Sequence, residues 1–177
     1  MTIRTHHEVL TRTATTDDVD AVNLMHARSS LRSRFARYHG ARHGVTHREW
    51  ERLCDPARGT TLVTVPLDEP ARIVAATHLM RTQVPHVREL GILVEDAWQR
   101  RGLGSALARY AVGLAHTHTL DCREITVMTG SSNRAVLSIL RLLNARVTER
   151  DGSAVNVVIP VRGRGHMPLP PTAPGTW

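Results

Sequence analysis

The chain reads as an α/β protein, one domain of six or seven strands with four or five helices. Three observations predict it. Short β-branched runs and helical stretches follow one another along 177 residues. An apolar strand over 89–94 runs through a glycine-rich turn straight into a helix. The 41% hydrophobic content is enough for a real core at this length.

The elements follow in order. Val9 to Thr13 forms a first strand. Thr16 caps a helix whose first turn holds Asp17 and Asp18, favourable at the positive end of the dipole, and whose apolar stripe is Val19, Val22 and Met25. Ser30 to His39 has Leu31, Phe35 and Tyr38 at helical spacing and stops at Gly40. Thr46-His47-Arg48-Glu49 is a capping box opening a short helix with Trp50 and Leu53 inward. Thr60 to Val65 and Ala71 to Met80 are strands joined through Pro66–Pro70. His86 to Val94 is the next strand, Ser105 to Leu114 the next helix, then a strand over Glu124 to Met128 and a helix over Asn133 to Leu143. Arg146 to Glu149 and Ala154 to Val161 flank Asp151-Gly152, a strong hairpin signal. The domain is expected over 1–161, with the Pro- and Gly-rich 162–177 as a disordered tail.

Composition removes several classes of function. No apolar run approaches a membrane span and the N-terminus has no signal-peptide core, so a cytoplasmic protein is expected. Cys54 and Cys122 have neither metal nor redox spacing, and fit a reduced compartment. His39, His43 and His47 recur every fourth residue, but Gly40, Gly44 and the Thr46 cap break any shared helix; an exposed turn and no metal is the reading. His116 and His118 close a helix. The net charge of +7 comes from 23 basic residues, every one arginine. They are scattered and the chain holds only three Trp, two Tyr and one Phe, which speaks against nucleic acid while favouring a small anionic ligand.

The glycine-rich turn carries the chemistry. Gln99-Arg100-Arg101-Gly102-Leu103-Gly104 lies between strand and helix, where backbone N–H groups converge on an anion. A dinucleotide fingerprint would need a glycine at 107, which is Leu, and a Walker loop would need a lysine, of which there is none. A plain strand-to-helix turn is the alternative. Gln99, Gly102 and Gly104 match the Gln/Arg-x-x-Gly-x-Gly/Ala loop, and the chain resembles the GNAT N-acetyltransferases over residues 8 to 161. The helix from Asn133-Arg134-Ala135-Val136 is similar to the family's second cleft helix. The resemblance implies acetyl-CoA as co-substrate, no metal, and a mixed sheet that splays between its fourth and fifth strands. It further implies the backbone of Ile92, Leu93 and Val94 on pantetheine, Gln99, Arg100, Arg101, Gly102, Leu103 and Gly104 around the pyrophosphate, and Asn133 on the pantetheine arm. Asn133 could equally be only a helix cap. Two positions depart from the pattern: Leu140 stands where many members carry a Tyr that protonates the departing thiolate, and Asn144 replaces a helix-ending Gly.

An acceptor amine must lose a proton before attack, and at pH 7 only about one lysine-like amine in two thousand is neutral. Glu89 is the candidate base: it sits in the cleft strand, on one face with Gly91 and Leu93, in an otherwise apolar stretch expected to bury it. Pairing with Arg88 or another Arg is the competing role. Glu95 and Asp96 read as solvated turn residues, and Trp98 as a core aromatic under the loop. The Glu89–Val94 strand and Ser30-Leu31-Arg32-Ser33-Arg34-Phe35 look like the Pat-type protein lysine acetyltransferases, which points to a protein lysine acceptor. A small-molecule amine, and a CoA-binding module without turnover, are the rival readings. The arginines of 28–48 disfavour a cationic small acceptor. A homodimer is left open.

Overall fold

The computed structural model describes residues 2–4, 8–40, 42–117 and 121–161. The tail 162–177 and His118 lie outside the described residues. One sheet runs through the molecule, with strands β1 (Thr2–Arg4), β2 (Glu8–Thr13), β3 (Gly59–Pro66), β4 (Ala75–Arg81), β5 (Val87–Val94), β6 (Glu124–Gly130), β7 (Arg146–Asp151) and β8 (Ala154–Pro160). Their spatial order is β1-β2-β3-β4-β5-β6-β8-β7. Every neighbouring pair is antiparallel except β5–β6. The three-residue β1 adds an edge to the seven expected strands.

Helices α1 (Val19–Arg28), α2 (Leu31–Tyr38) and α3 (His47–Cys54) come between β2 and β3; α4 (Leu103–Ala115) joins β5 to β6, and α5 (Arg134–Leu142) joins β6 to β7. Val19, Val22, Met25 and Trp50 pack with Val63, Ala76 and Leu93 on one face of the sheet. Ala111, Ala115 and Leu140 pack with Leu90, Ile125 and Val157 in a second cluster, and Trp98, Leu103 and Leu107 with Val9 and Val74 in a third. The alternation along β5 is thus real: Leu93 and Leu90 enter different clusters.

The parallel β5–β6 ladder spans only three residue pairs, Val87–Glu124, Arg88–Ile125 and Glu89–Thr126. Beyond Glu89 the two strands separate, each held by its outer neighbour: β5 by β4 to Val94, β6 by β8 to Gly130. This is the splay expected between the fourth and fifth strands, counted without β1.

Local expectations fail in four places. The residue preceding the first helical turn is Thr15, not Thr16: its amide donates to the Asp18 carboxylate at 2.8 Å, which also takes both Arg12 guanidinium nitrogens at 2.8 and 2.7 Å. Residues 71–74 lie outside the ladder, so β4 starts at Ala75, although Ile73 and Val74 are buried. Helix α2 stops at His39, which takes the left-handed conformation (φ 53°), one residue before the stop expected at Gly40. Leu31 and Phe35 of α2 are exposed, because the helix turns Arg34, Arg37 and Tyr38 toward the sheet instead. The remaining signals hold. Thr46 and Glu49 form the capping box, and Gly152 (φ 53°) and Asn144 (φ 56°) turn the chain where expected.

Candidate active site

The separated stretch of β5 follows a simple hydrogen-bond phase. Thr82 N–H donates to Val87 O at 3.2 Å, and Glu95 N–H to Val74 O at 2.9 Å. In the unbroken antiparallel register between them, Glu89, Gly91 and Leu93 therefore direct their backbone groups at β4. Leu90, Ile92 and Val94 direct theirs away from it, into the splay. Leu93 is accordingly removed from the backbone donors and acceptors expected to face the cleft; its peptide is spent on Ala76. The Ile92 peptide and the Val94 amide remain, while the Val94 carbonyl accepts from Gln99 Nε2 at 2.9 Å.

Gln99 thus acts as a brace. Its Nε2 also donates to Ser33 Oγ at 3.0 Å and Asp96 Oδ1 at 3.3 Å, fastening the loop to the end of β5 and to α2. In the loop, Arg100 (φ 58°) and Gly102 (φ 84°) both take the left-handed conformation that curls the backbone into the helix. A β-carbon at Gly102 would meet nothing, so glycine is required there for its backbone angle. Ala106 N–H is bonded to Gly102 O at 3.0 Å, which leaves the Leu103, Gly104 and Ser105 amides ahead of the first intrahelical bond. Gly104 faces Ile139 of α5. Leu103 is buried beside Trp98, and the exposed Arg101 covers the Trp98 ring at 5.7 Å; Arg100 is exposed.

Helix α2 crosses the splay. At its start the Asp96 carboxylate accepts from the Ser30 and Ser33 side chains; burial alone would raise that carboxyl, and these bonds hold it below its usual range. At its end His39 Nε2 reaches Met128 O of β6 at 3.4 Å. Between them, the Arg37 guanidinium lies so close over Gly91 that any β-carbon there would overlap it. Burial lowers the guanidinium below its ordinary value, and Tyr38 and Glu89 act against that.

Glu89 stands on the same face as Gly91, two residues before it, and is exposed. This corrects the expected burial in an apolar stretch: the space above Glu89 is the open mouth of the splay, since β6 diverges at that residue. Arg88 is buried and, being adjacent in the strand, points to the opposite face. Glu95 is a second correction. It is only 2% exposed, gripped by Arg28 Nε at 2.9 Å and Arg72 Nη2 at 2.6 Å.

Beneath Arg37 lies a polar cluster that sequence patterning missed. His26 Nδ1 donates to Val22 O at 2.8 Å, so its Nε2 accepts from the Tyr38 hydroxyl at 2.6 Å. Thr61 donates to Leu53 O and accepts from His78 Nδ1 at 3.1 Å. Burial lowers both imidazoles, His78 to about 3, so both are neutral near pH 7. The Tyr38 ring is flanked by Arg37 at 5.0 Å and Arg42 at 5.4 Å, and Arg42 is paired with Glu49.

On the far side of the splay, Asn133 caps α5, its Oδ1 accepting from Val136 N–H at 3.4 Å. Leu140 is buried in the core and offers no proton. Among the described residues no group of histidine, cysteine or carboxylate side chains could hold a metal. No helix there is long and apolar enough to cross a membrane.

A family profile described as the acetyltransferase (GNAT) family matches residues 26–143. No curated protein sequence matches the chain. Among solved structures, the GNAT domain of S. lividans PAT superposes with a TM-score of 0.78 at 16% identity, covering 90% of this chain and 96% of that one. YncA of Salmonella typhimurium, a putative acetyltransferase with its cofactor acetyl-CoA, gives 0.68 at 17% identity over 87% and 94%. Spermidine N-acetyltransferase from Vibrio cholerae, in complex with CoA and spermine, gives 0.67 at 12% over 86% and 95%. At these identities each likeness shows the fold alone.

Proposed function

The chain belongs to the acetyltransferase (GNAT) family, whose acyl donor is acetyl-CoA, and we propose that it acetylates a primary amine by direct attack, with Glu89 as general base. The observation that carries this reading is the course of β5. One strand presents Glu89 on its open face and, three and five residues on, the outward peptide groups of Ile92 and Val94. Pantetheine adds to those groups as a short strand would, and its pyrophosphate rests on the amides at the start of α4, shaped by Gly102 and Gly104. Gln99 fixes the loop rather than the phosphate. Arg100 and Arg101 lie exposed at its rim, and Asn133 fronts the cleft from α5.

The ammonium form of the acceptor gives one proton to the Glu89 carboxylate. The freed nitrogen attacks the thioester carbonyl, and the second proton that nitrogen sheds on becoming an amide passes to solvent. The C–N bond forms, the C–S bond breaks, and the CoA thiolate leaves as the anion, taking its proton from water. Leu140 cannot supply that proton, and a thiolate is a fair leaving group without it.

Two acceptor classes stand beside each other: a protein lysine, in keeping with the Pat-like sequence features, and a small amine. Release of free CoA thiol from acetyl-CoA, measured over lysine-bearing proteins and a panel of small amines, tests the reading. Turnover with any member supports it. Saturable acetyl-CoA binding with no turnover on the whole panel favours a CoA-binding module, and absence of binding overturns the loop assignment.

A further inference from the structure

The Arg37 guanidinium is seated on the cleft strand, and among the described residues its one contact of charge is with the Tyr38 ring rather than a carboxylate. It lies against Gly91, its Nε is shielded from solvent without a hydrogen-bond partner, and no ion pair claims it among the described residues. Its neighbours below are two neutral imidazoles, His26 and His78, and a neutral phenol. Arg42 is committed to Glu49, and Arg28 and Arg72 to Glu95. Glu89 lies two residues along the same strand face, its Cα about 6.7 Å from that of Gly91 by strand geometry, and its charge acts on Arg37 with no ion pair between them among the described residues.

A guanidinium over Gly91 and a carboxylate two residues along the same strand face complement a zwitterion. Building on the acetyl-transfer reading above, we propose that the acceptor carries a carboxylate beside its amine, with Arg37 binding the carboxylate while Glu89 takes the amine: an α-amino acid or a compound of that class. A bidentate guanidinium–carboxylate contact orients the acceptor as well as holding it. A lysine side chain in a protein has no carboxylate within reach of its ε-amine, and a polyamine would bring its second cation against Arg37. Gly91 is part of the device, since only a glycine lets the guanidinium lie on the strand.

The test pairs leucine, phenylalanine, serine and glutamate each with its α-carboxamide, keeping the amine and removing the anion. Each is assayed for CoA release, and each is titrated calorimetrically into the protein loaded with CoA. Wild type is expected to favour the acids by about ten- to a hundred-fold, the usual worth of one charge-assisted pair. In Arg37→Gln that acid-to-amide ratio falls toward one. Arg37→Lys, which keeps the charge without the fork, recovers part of it, and Gly91→Ala lowers it from the strand side. Thermal melts of the variants exclude unfolding as the cause. Wild type favouring the amides, or a ratio unmoved in Arg37→Gln, overturns the assignment. The two arms separate it from the activity: acid-selective, Arg37-dependent binding without CoA release leaves the anchor standing and refutes the transferase, whereas CoA release from lysine proteins or polyamines with no acid selectivity does the reverse.

Discussion

Glu95 ends the strand that carries the site, and replacing it with Gln measures how firmly that end is held. The carboxylate is 3% exposed and takes one guanidinium on each oxygen, from Arg28 and Arg72. Gln keeps the shape but turns an N–H₂ toward one guanidinium, a donor facing a donor. Breaking a fully buried pair costs about 3–5 kcal/mol. Here the arginines are 34% and 30% exposed, and Arg28 keeps a bond to the Ile73 carbonyl. Both can regain water, so the cost drops to about 2 kcal/mol. For a domain of this size that lowers Tm by about 4–8 °C. Circular dichroism melts of wild type and Glu95→Gln at neutral pH read it directly, and the difference should survive about 0.5 M salt, which screens exposed pairs but not this one. A shift below about 1 °C, or one abolished by salt, would refute the description of Glu95 as a buried clamp.

Two further outcomes follow from the site and the cluster behind it. Gly102→Ala has room for its methyl but not for a φ of 84°, at about 1 kcal/mol, so acetyl-CoA affinity should fall about five-fold or more while the fold persists; an unchanged Kd in calorimetry removes Gly102 from the loop's function. His78, lowered to about 3, and His26, also lowered, are neutral when folded and take up protons more readily when unfolded. Their contribution is fully present above about pH 6.5 and is lost as pH falls toward 3, so Tm should decline over that window and His78→Gln should flatten the slope; equal slopes would contradict it.

The fold was legible because its signals were local. The apolar 90–94 run, the glycines of the loop, the Thr46–Glu49 box and the Asp151-Gly152 turn each specify backbone by short-range chemistry. What escaped required knowing which residues meet across the chain. Glu95 looked like a turn residue because Arg28, 67 positions away, is invisible to a local window. Leu31, Phe35 and Tyr38 share a helical spacing in the sequence, yet only Tyr38 turns inward, beside Arg34 and Arg37, toward the polar cluster under the cleft. Glu89 was placed correctly on its strand face, but its exposure depends on where β6 diverges, which no residue near Glu89 encodes. Arg37 could have been flagged only by asking why a glycine occupies position 91 of a buried strand, since the answer lies on α2.

Acetyl transfer with Glu89 as base is tested most directly by Glu89→Gln, with kcat for CoA release and the Kd of acetyl-CoA measured on the same preparation. Loss of the base should lower kcat by about 10²–10⁴-fold, with acetyl-CoA affinity unchanged because Glu89 directs its peptide at β4 and lies outside the donor-binding groups. The deficit should shrink as pH rises toward the amine's own pKa. A variant that keeps wild-type kcat at neutral pH would show that another group, or water alone, accepts the proton.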